Sequence, residues 1–324
     1  SVAFRFIAAG SHPDHDTLAT LRRRFLAEVV DVFMQVLELA KEMHLLKLGT
    51  ISLDGTKIHA NASRHSALSH GHIEKLEVQL KAEVQELLAL AEQADQADVP
   101  DGANLPEEIK RREDRLAVMA DATRKIAARA EERFQREKAE YEEKMARRAA
   151  KEKEAGKKLG GKPPKAPEPG PRASDQINLT DEQSRIMPVS GGGFEQCYNA
   201  QASADVATLL VVATHVTQAP NDKEQVAPML ELVKAQSEVL GMPSCLLADT
   251  GYCSEKNILA CEAAQLTPFI AVARDQHHPD WRERHSEPAP LPLNATAVQS
   301  MAHRLKTKAG RAQFALRKQT IHQA

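Results

Sequence analysis

The stretch TISLDGTK (Thr50–Lys57) is apolar at its start, reaches a carboxylate at Asp54 and continues at once into Gly55. An Asp-Gly pair placed this way has two readings. It is a common hairpin signal, or its aspartate is a ligand delivered on the rigid end of a buried strand. We read the strand as spanning 48–54, with Gly55 turning the chain. A second stretch repeats the form. SCLLAD (Ser244–Asp249) is a short buried strand that ends on an aspartate and enters the turn TGY (Thr250–Tyr252). Between them, 194–205 and 208–217 read as two antiparallel strands joined by a tight turn. Residues 221–240 read as a helix, with Asn221 and Glu224 as a capping box and Pro228 requiring a kink or a late start. The strand around Val211, this helix and the strand around Leu247 form a β-α-β unit, whose strands are expected to be parallel with a right-handed crossover. If the strand of Asp54 lies beside that of Asp249 and runs parallel to it, two carboxylates meet at one sheet edge. Their repulsion is relieved by a divalent cation. Mg²⁺ prefers hard oxygen ligands and keeps several waters, which suits phosphate substrates, and ion pairs about 4 Å apart serve phosphoryl transfer.

The rest of the chain surrounds this pair. Residues 17–47 read as one amphipathic helix, with Leu18, Leu21, Phe25, Val29, Val32 and Val36 on its apolar stripe, Asp16 as N-cap and Gly49 beyond its end. In the preceding loop, His12, Asp14, His15 and Asp16 read as a turn and a cap in preference to a metal cluster. Ile73, Leu76, Leu80 and Val84 form one heptad-like seam, and Leu116, Met119, Ile126 and Ala130 form a second. A polar break separates them, which suggests an antiparallel, coiled-coil-like helical hairpin. The Pro, Gly and Lys-rich segment that follows reads as a disordered or extended linker. Ser254 caps a helix to about Gln265, 267–273 is a further strand, and 296–317 is helical with a basic face. The resulting segments are 1–47, 48–66, 70–158, 159–173 and 174–324.

The 324 residues suffice for one large domain or two ordinary ones. A net charge of −2 gives no global basic field that would announce nucleic acid. Four cysteines without a C-x-x-C pair argue for buried thiols in a reducing cytosol, against a zinc site or a disulfide framework. No apolar run approaches the roughly 20 residues of a bilayer span, so no membrane partner is expected. Both chain ends read as cut.

Four stretches in this order, SLDGTKIHANAS, YNAQASAD, VTQAPNDKEQ and LLADTGYCSEKN, resemble the DDE-type transposases of bacterial insertion sequences, in the subgroup with a large helical insertion after the first aspartate. The opening of the chain resembles the end of that family's helical, DNA-binding N-terminal region. The resemblance implies an α/β fold with an RNase H-like mixed sheet flanked by helices, carrying the helical hairpin as an insertion. It implies Mg²⁺ or Mn²⁺ as cofactor, double-stranded DNA as partner, a homo-oligomer, and a cytoplasmic, nucleoid-associated location in a bacterium. By position, Asp54 and Asp249 are the first and second catalytic, metal-binding acids. His322 stands where the family carries its glutamate, so the expected activity is a defective cleavage and strand transfer at element ends. Lys57, Arg311, Arg317 and Lys318 are candidates to hold DNA phosphates. The alternative is a non-catalytic DNA-binding or helical scaffold remnant. For Tyr198, Asn199 and Gln201, strand packing is the expected role, and for Asp205 a turn.

Overall fold

The computed structural model describes residues 6, 9–97, 105–158, 160–273 and 286–320. In chain order the elements are α1 (His15–Arg24), α2 (Leu26–Glu42), β1 (Thr50–His59), β2 (Ala67–Ser69), α3 (His70–Ala97), α4 (Leu105–Ala155), β3 (Gln176–Asn178), β4 (Arg185–Pro188), β5 (Phe194–Asp205), β6 (Val211–Thr217), α5 (Val226–Ala235), α6 (Ser237–Leu240), β7 (Cys245–Ala248), α7 (Glu255–Ala263), β8 (Thr267–Ile270), α8 (Ala297–Lys306) and α9 (Lys308–Ala315). They divide into two compact units, Ser1–Ile58 with Asn199–Ala324, and His59–Tyr198.

In the first unit the strand order is β6-β5-β1-β7-β8. β5 and β6 pair antiparallel, while β1 with β7 and β7 with β8 pair parallel. Ile51, Leu53, Leu246 and Ala248 are buried to one core with Met229 and Val233 of α5, Ile258 of α7 and Met301 of α8. An antiparallel hairpin on one side of β1, two parallel strands on the other and helices on the flanks make this an RNase H-like α/β sheet. The expected β-α-β link joins β6 to β7 through α5, but β5 and β1 lie between those strands.

Several boundaries differ from the sequence reading. The turn expected at Gly55 is absent, and β1 runs on to His59. Gly55 is not among the residues of positive φ, so nothing in its backbone breaks the strand. The long N-terminal helix is two helices, broken at Phe25 (φ −121°, ψ 36°). Asp14, not Asp16, caps α1, accepting the Thr17 N–H at 2.7 Å. α2 buries Leu37 and Ala40 beside Phe33 and Met34, while Leu18, Leu21, Val29, Val32 and Val36 of the expected stripe are exposed. α2 is apolar on more than one side, so spacing alone does not choose which side packs. α5 starts only at Val226, which places Pro228 in the first turn where its missing N–H costs nothing; Asn221 stays outside the helix and forms no capping box. The C-terminal helix breaks at Thr307 (ψ 155°) into α8 and α9.

In the second unit α3 and α4 pack as an antiparallel pair. Ile73 of α3 and Met119, Ala122 and Ile126 of α4 share a buried cluster with Ile177 of β3, and Arg112 donates to Glu83 at 2.7 Å one end along. The Pro-rich segment is extended and fastened to α4: Arg133 donates to Gly170 O at 3.1 Å, and Arg172 to Glu137 at 2.9 Å. The β2–β3 ribbon and β4, paired with the first residues of β5, have no counterpart in the sequence reading. Tyr198 donates to Asp181 at 2.7 Å.

Candidate active site

The pairing of β1 with β7 positions the two aspartates. Thr50 lies opposite Cys245, Ile51 opposite Leu246 and Ser52 opposite Leu247. Carried forward in the same register, Asp54 falls beside Asp249. Alternation along β1 sends Ile51 and Leu53 into the core and Asp54 to the other face. Asp54 Oδ1 accepts the N–H of Gly55 at 2.9 Å. Asp249 caps a one-turn 3₁₀ segment at Thr250–Tyr252, its Oδ1 accepting the Gly251 N–H at 2.8 Å. Each carboxylate thus keeps its second oxygen for something else.

That something is Arg317. Its Nη2 stands 3.3 Å from Asp54 Oδ2 and 3.7 Å from Asp249 Oδ2, so the two carboxylates converge on one nitrogen. Arg317 follows α9 on a 3₁₀ turn, and α9 is held to the start of β1 by Gln313 Nε2 donating to Thr50 Oγ1 at 2.8 Å. The Arg317 Nε is buried and has no acceptor among the described residues.

Behind the aspartates lies a buried polar layer. Tyr252 is fully buried, and its phenol is pushed up far beyond its ordinary range by burial first, then by Asp222, Asp54 and Asp249, with Arg317 opposing. The phenol therefore stays a neutral donor, and it gives its proton to a hydrogen bond with Gln201 Oε1 at 2.5 Å. Lys57 Nζ lies 3.9 Å from Asp222 Oδ1.

Of the residues singled out in the sequence, Asp54, Asp249 and Arg317 come together, with Lys57 one carboxylate away through Asp222. Arg311 does not join them: its guanidinium donates to the carbonyls of Ser286 and Lys306. Lys318 is exposed. His322 lies outside the described residues. Asp205 is a turn residue, accepting from the Thr208 N–H at 3.0 Å and from its hydroxyl at 2.7 Å. The sequence reading missed Asp222 and Tyr252. Both lie in stretches that carried the family resemblance, VTQAPNDKEQ and LLADTGYCSEKN, but the Asn221 start was read as a helix cap and Tyr252 as part of a turn.

The donor chemistry suits a hard divalent ion. Asp54 and Asp249 offer two carboxylate oxygens already facing a shared positive charge, and Mg²⁺ is commonly held by one or two carboxylates with waters and phosphate completing its shell. Among the described residues no group of three or more His, Cys, Asp or Glu side chains is placed to hold a metal. No helix of the described residues is long and apolar enough to cross a membrane.

The family model of the transposase DDE domain matches residues 163–315. That span includes Asp222, Asp249 and Tyr252. No curated protein and no solved structure matches the chain.

Proposed function

We propose, from the match of residues 163–315 to the transposase DDE domain, that the chain is a DDE-type transposase in which Asp54 and Asp249 hold a divalent cation, of the Mg²⁺ or Mn²⁺ type, for phosphoryl transfer on double-stranded DNA. The observation that carries this reading is the single guanidinium nitrogen shared by both carboxylates. It supports a point of positive charge between two hard-oxygen donors. A bound ion would supply Lewis-acid activation of the attacking and leaving oxygens.

The chain's own residues do the rest. Asp54 is fixed by its strand and Asp249 by its capping turn, so both carboxylates are held in place, and an ion would take over the oxygens that Arg317 now faces. Arg317 has a planar fork of the kind suited to phosphate, and its Nη2 already stands between the two carboxylates. Lys57 adds a second positive charge beside the site. Arg311 and Lys318, on the same C-terminal segment, add sequence-independent phosphate attraction. Ion binding is the readout nearest to the proposed chemistry of the two aspartates.

The test is a Mn²⁺ titration of the purified chain, followed by calorimetry, together with nicking of a labelled duplex. Asp54→Asn and Asp249→Asn should each abolish the ion binding and any metal-stimulated nicking. Parent and both variants binding Mn²⁺ alike would refute the site.

A further inference from the structure

Two motifs have no part in the paired aspartates: Asn199 and Gln201 of YNAQ, and Asp222 of PND. In the structure they form one assembly. Asn199 and Gln201 are two residues apart on β5, so they share a face, and both are buried. Each donates from its amide to the same oxygen, Asp222 Oδ1, at 2.8 Å. Gln201 also donates to Asn199 Oδ1 at 2.9 Å and accepts from Tyr252. Asn199 reaches Ala219 O at 3.1 Å, which ties down the loop that bears Asp222. Asn257 donates to Lys223 O and Tyr252 O, both at 2.7 Å, and so joins that loop to the turn after Asp249.

The carboxylate of Asp222 sits where the backbones following both aspartates approach it. A Cβ at Gly55 would stand 2.9 Å from Asp222 Oδ1, and a Cβ at Gly251 would stand 3.6 Å from its Oδ2. We propose that Asp222 is a positioning residue of the two-aspartate site: a carboxylate held by two buried amides, against which the chain after Asp54 and the turn after Asp249 are set, and which pins Lys57 beside them. The proposal rests on reading Asp54 and Asp249 as ion ligands. We assign Asp222 to positioning and not to the ligand set: its Oδ1 is committed to two amides and faces Lys57 at 3.9 Å, and among the described residues no three His, Cys, Asp or Glu side chains are placed to share an ion. Partners behind the ligands of a metal typically alter its affinity by about 10–100-fold when removed.

The experiment is Mn²⁺ titration of the whole chain for parent, Asp222→Ala, Asp222→Asn and Asp54→Asn, each checked for fold by far-UV circular dichroism. The expected result is Asp54-dependent binding in the parent, weakened about tenfold or more by Asp222→Ala. Asp222→Asn keeps an acceptor for the amides but loses the charge opposite Lys57, so it should weaken binding less than Asp222→Ala. A merely structural role predicts that affinity falls only as far as the fold is lost, whereas positioning predicts lowered affinity in variants whose circular dichroism matches the parent, with partial rescue in Asp222→Asn. Should Asp222→Ala fail to fold, Asp222→Asn decides. Parent-like affinity in the folded Asp222 variants, beside a binding parent and a silent Asp54→Asn, overturns this proposal alone. A parent with no Asp54-dependent binding overturns the ion-site reading and this proposal with it.

Discussion

Gly55→Ala separates two accounts of the Asp-Gly pair by the sign of its effect. Gly55 lies inside β1 and outside the positive-φ region, so an alanine is compatible with its backbone. On backbone entropy alone the substitution should stabilise by about 0.4–1 kcal/mol. The surroundings argue the other way. The new Cβ would lie closer to Gln201 Nε2 than real Cβ contacts allow, 3.1 Å from Gln201 Cδ and 2.9 Å from Asp222 Oδ1. Gln201 has no free direction to swing, since its amide is bonded to Asn199, Asp222 and Tyr252. Displacing it leaves buried polar groups unpaired at about 1–3 kcal/mol each, and moving the strand instead costs about 1–3 kcal/mol of overpacking. The cheaper of the two routes sets the cost, so after the entropic gain is offset the net is a loss of about 1–2 kcal/mol. Urea unfolding followed by circular dichroism reads this as a lowered midpoint at unchanged m. A variant as stable as the parent, or more stable, would refute the idea that the amide layer presses against this strand.

Two other expectations concern the second unit. Ile126→Ala, in the cluster with Ile73, Met119 and Ile177, should cost about 2–5 kcal/mol, whereas Val118→Ala on the exposed side of α4 should stay within about 0.5 kcal/mol; urea midpoints compare them. Burial raises the Asp175 carboxyl, but the Arg172 N–H and the Arg133 guanidinium outweigh it and hold the group below its ordinary 3.8. Its folded pKa is therefore the lower one, so the stability it adds is full above about pH 4 and is lost as pH falls through the folded pKa. Arg133→Gln should flatten that acid arm in thermal melts taken from pH 6 to pH 2.

The paired aspartates were legible because each lies at the end of a short apolar run, and strand alternation plus a parallel neighbour is enough to bring such ends together. The hairpin was legible through its seams at Ile73 and Ile126. Position along the chain, not chemistry, hid Asp222. It stands in a loop with no periodicity, and its partners Asn199 and Gln201 look like ordinary polar strand residues until the fold stacks them against it. Gly55 misled for a related reason: a glycine kept clear for a neighbouring side chain and a glycine needed for a turn are the same letter. The packing face of α2 was lost because the helix is apolar on several sides.

Asp54 and Asp249 meet by counting four residues along two paired strands, from Thr50 and from Cys245. Length is therefore what this site tolerates least. Apolar residues can be exchanged for one another in 51–53 or 246–248, but inserting or deleting a single residue in one strand slips the register and sends its aspartate to the opposite face. Only a matched change in both strands would restore the meeting. Divergent copies of the sequence should accordingly align without gaps through these two segments, while turns such as the glycine-rich 189–193 take up insertions freely.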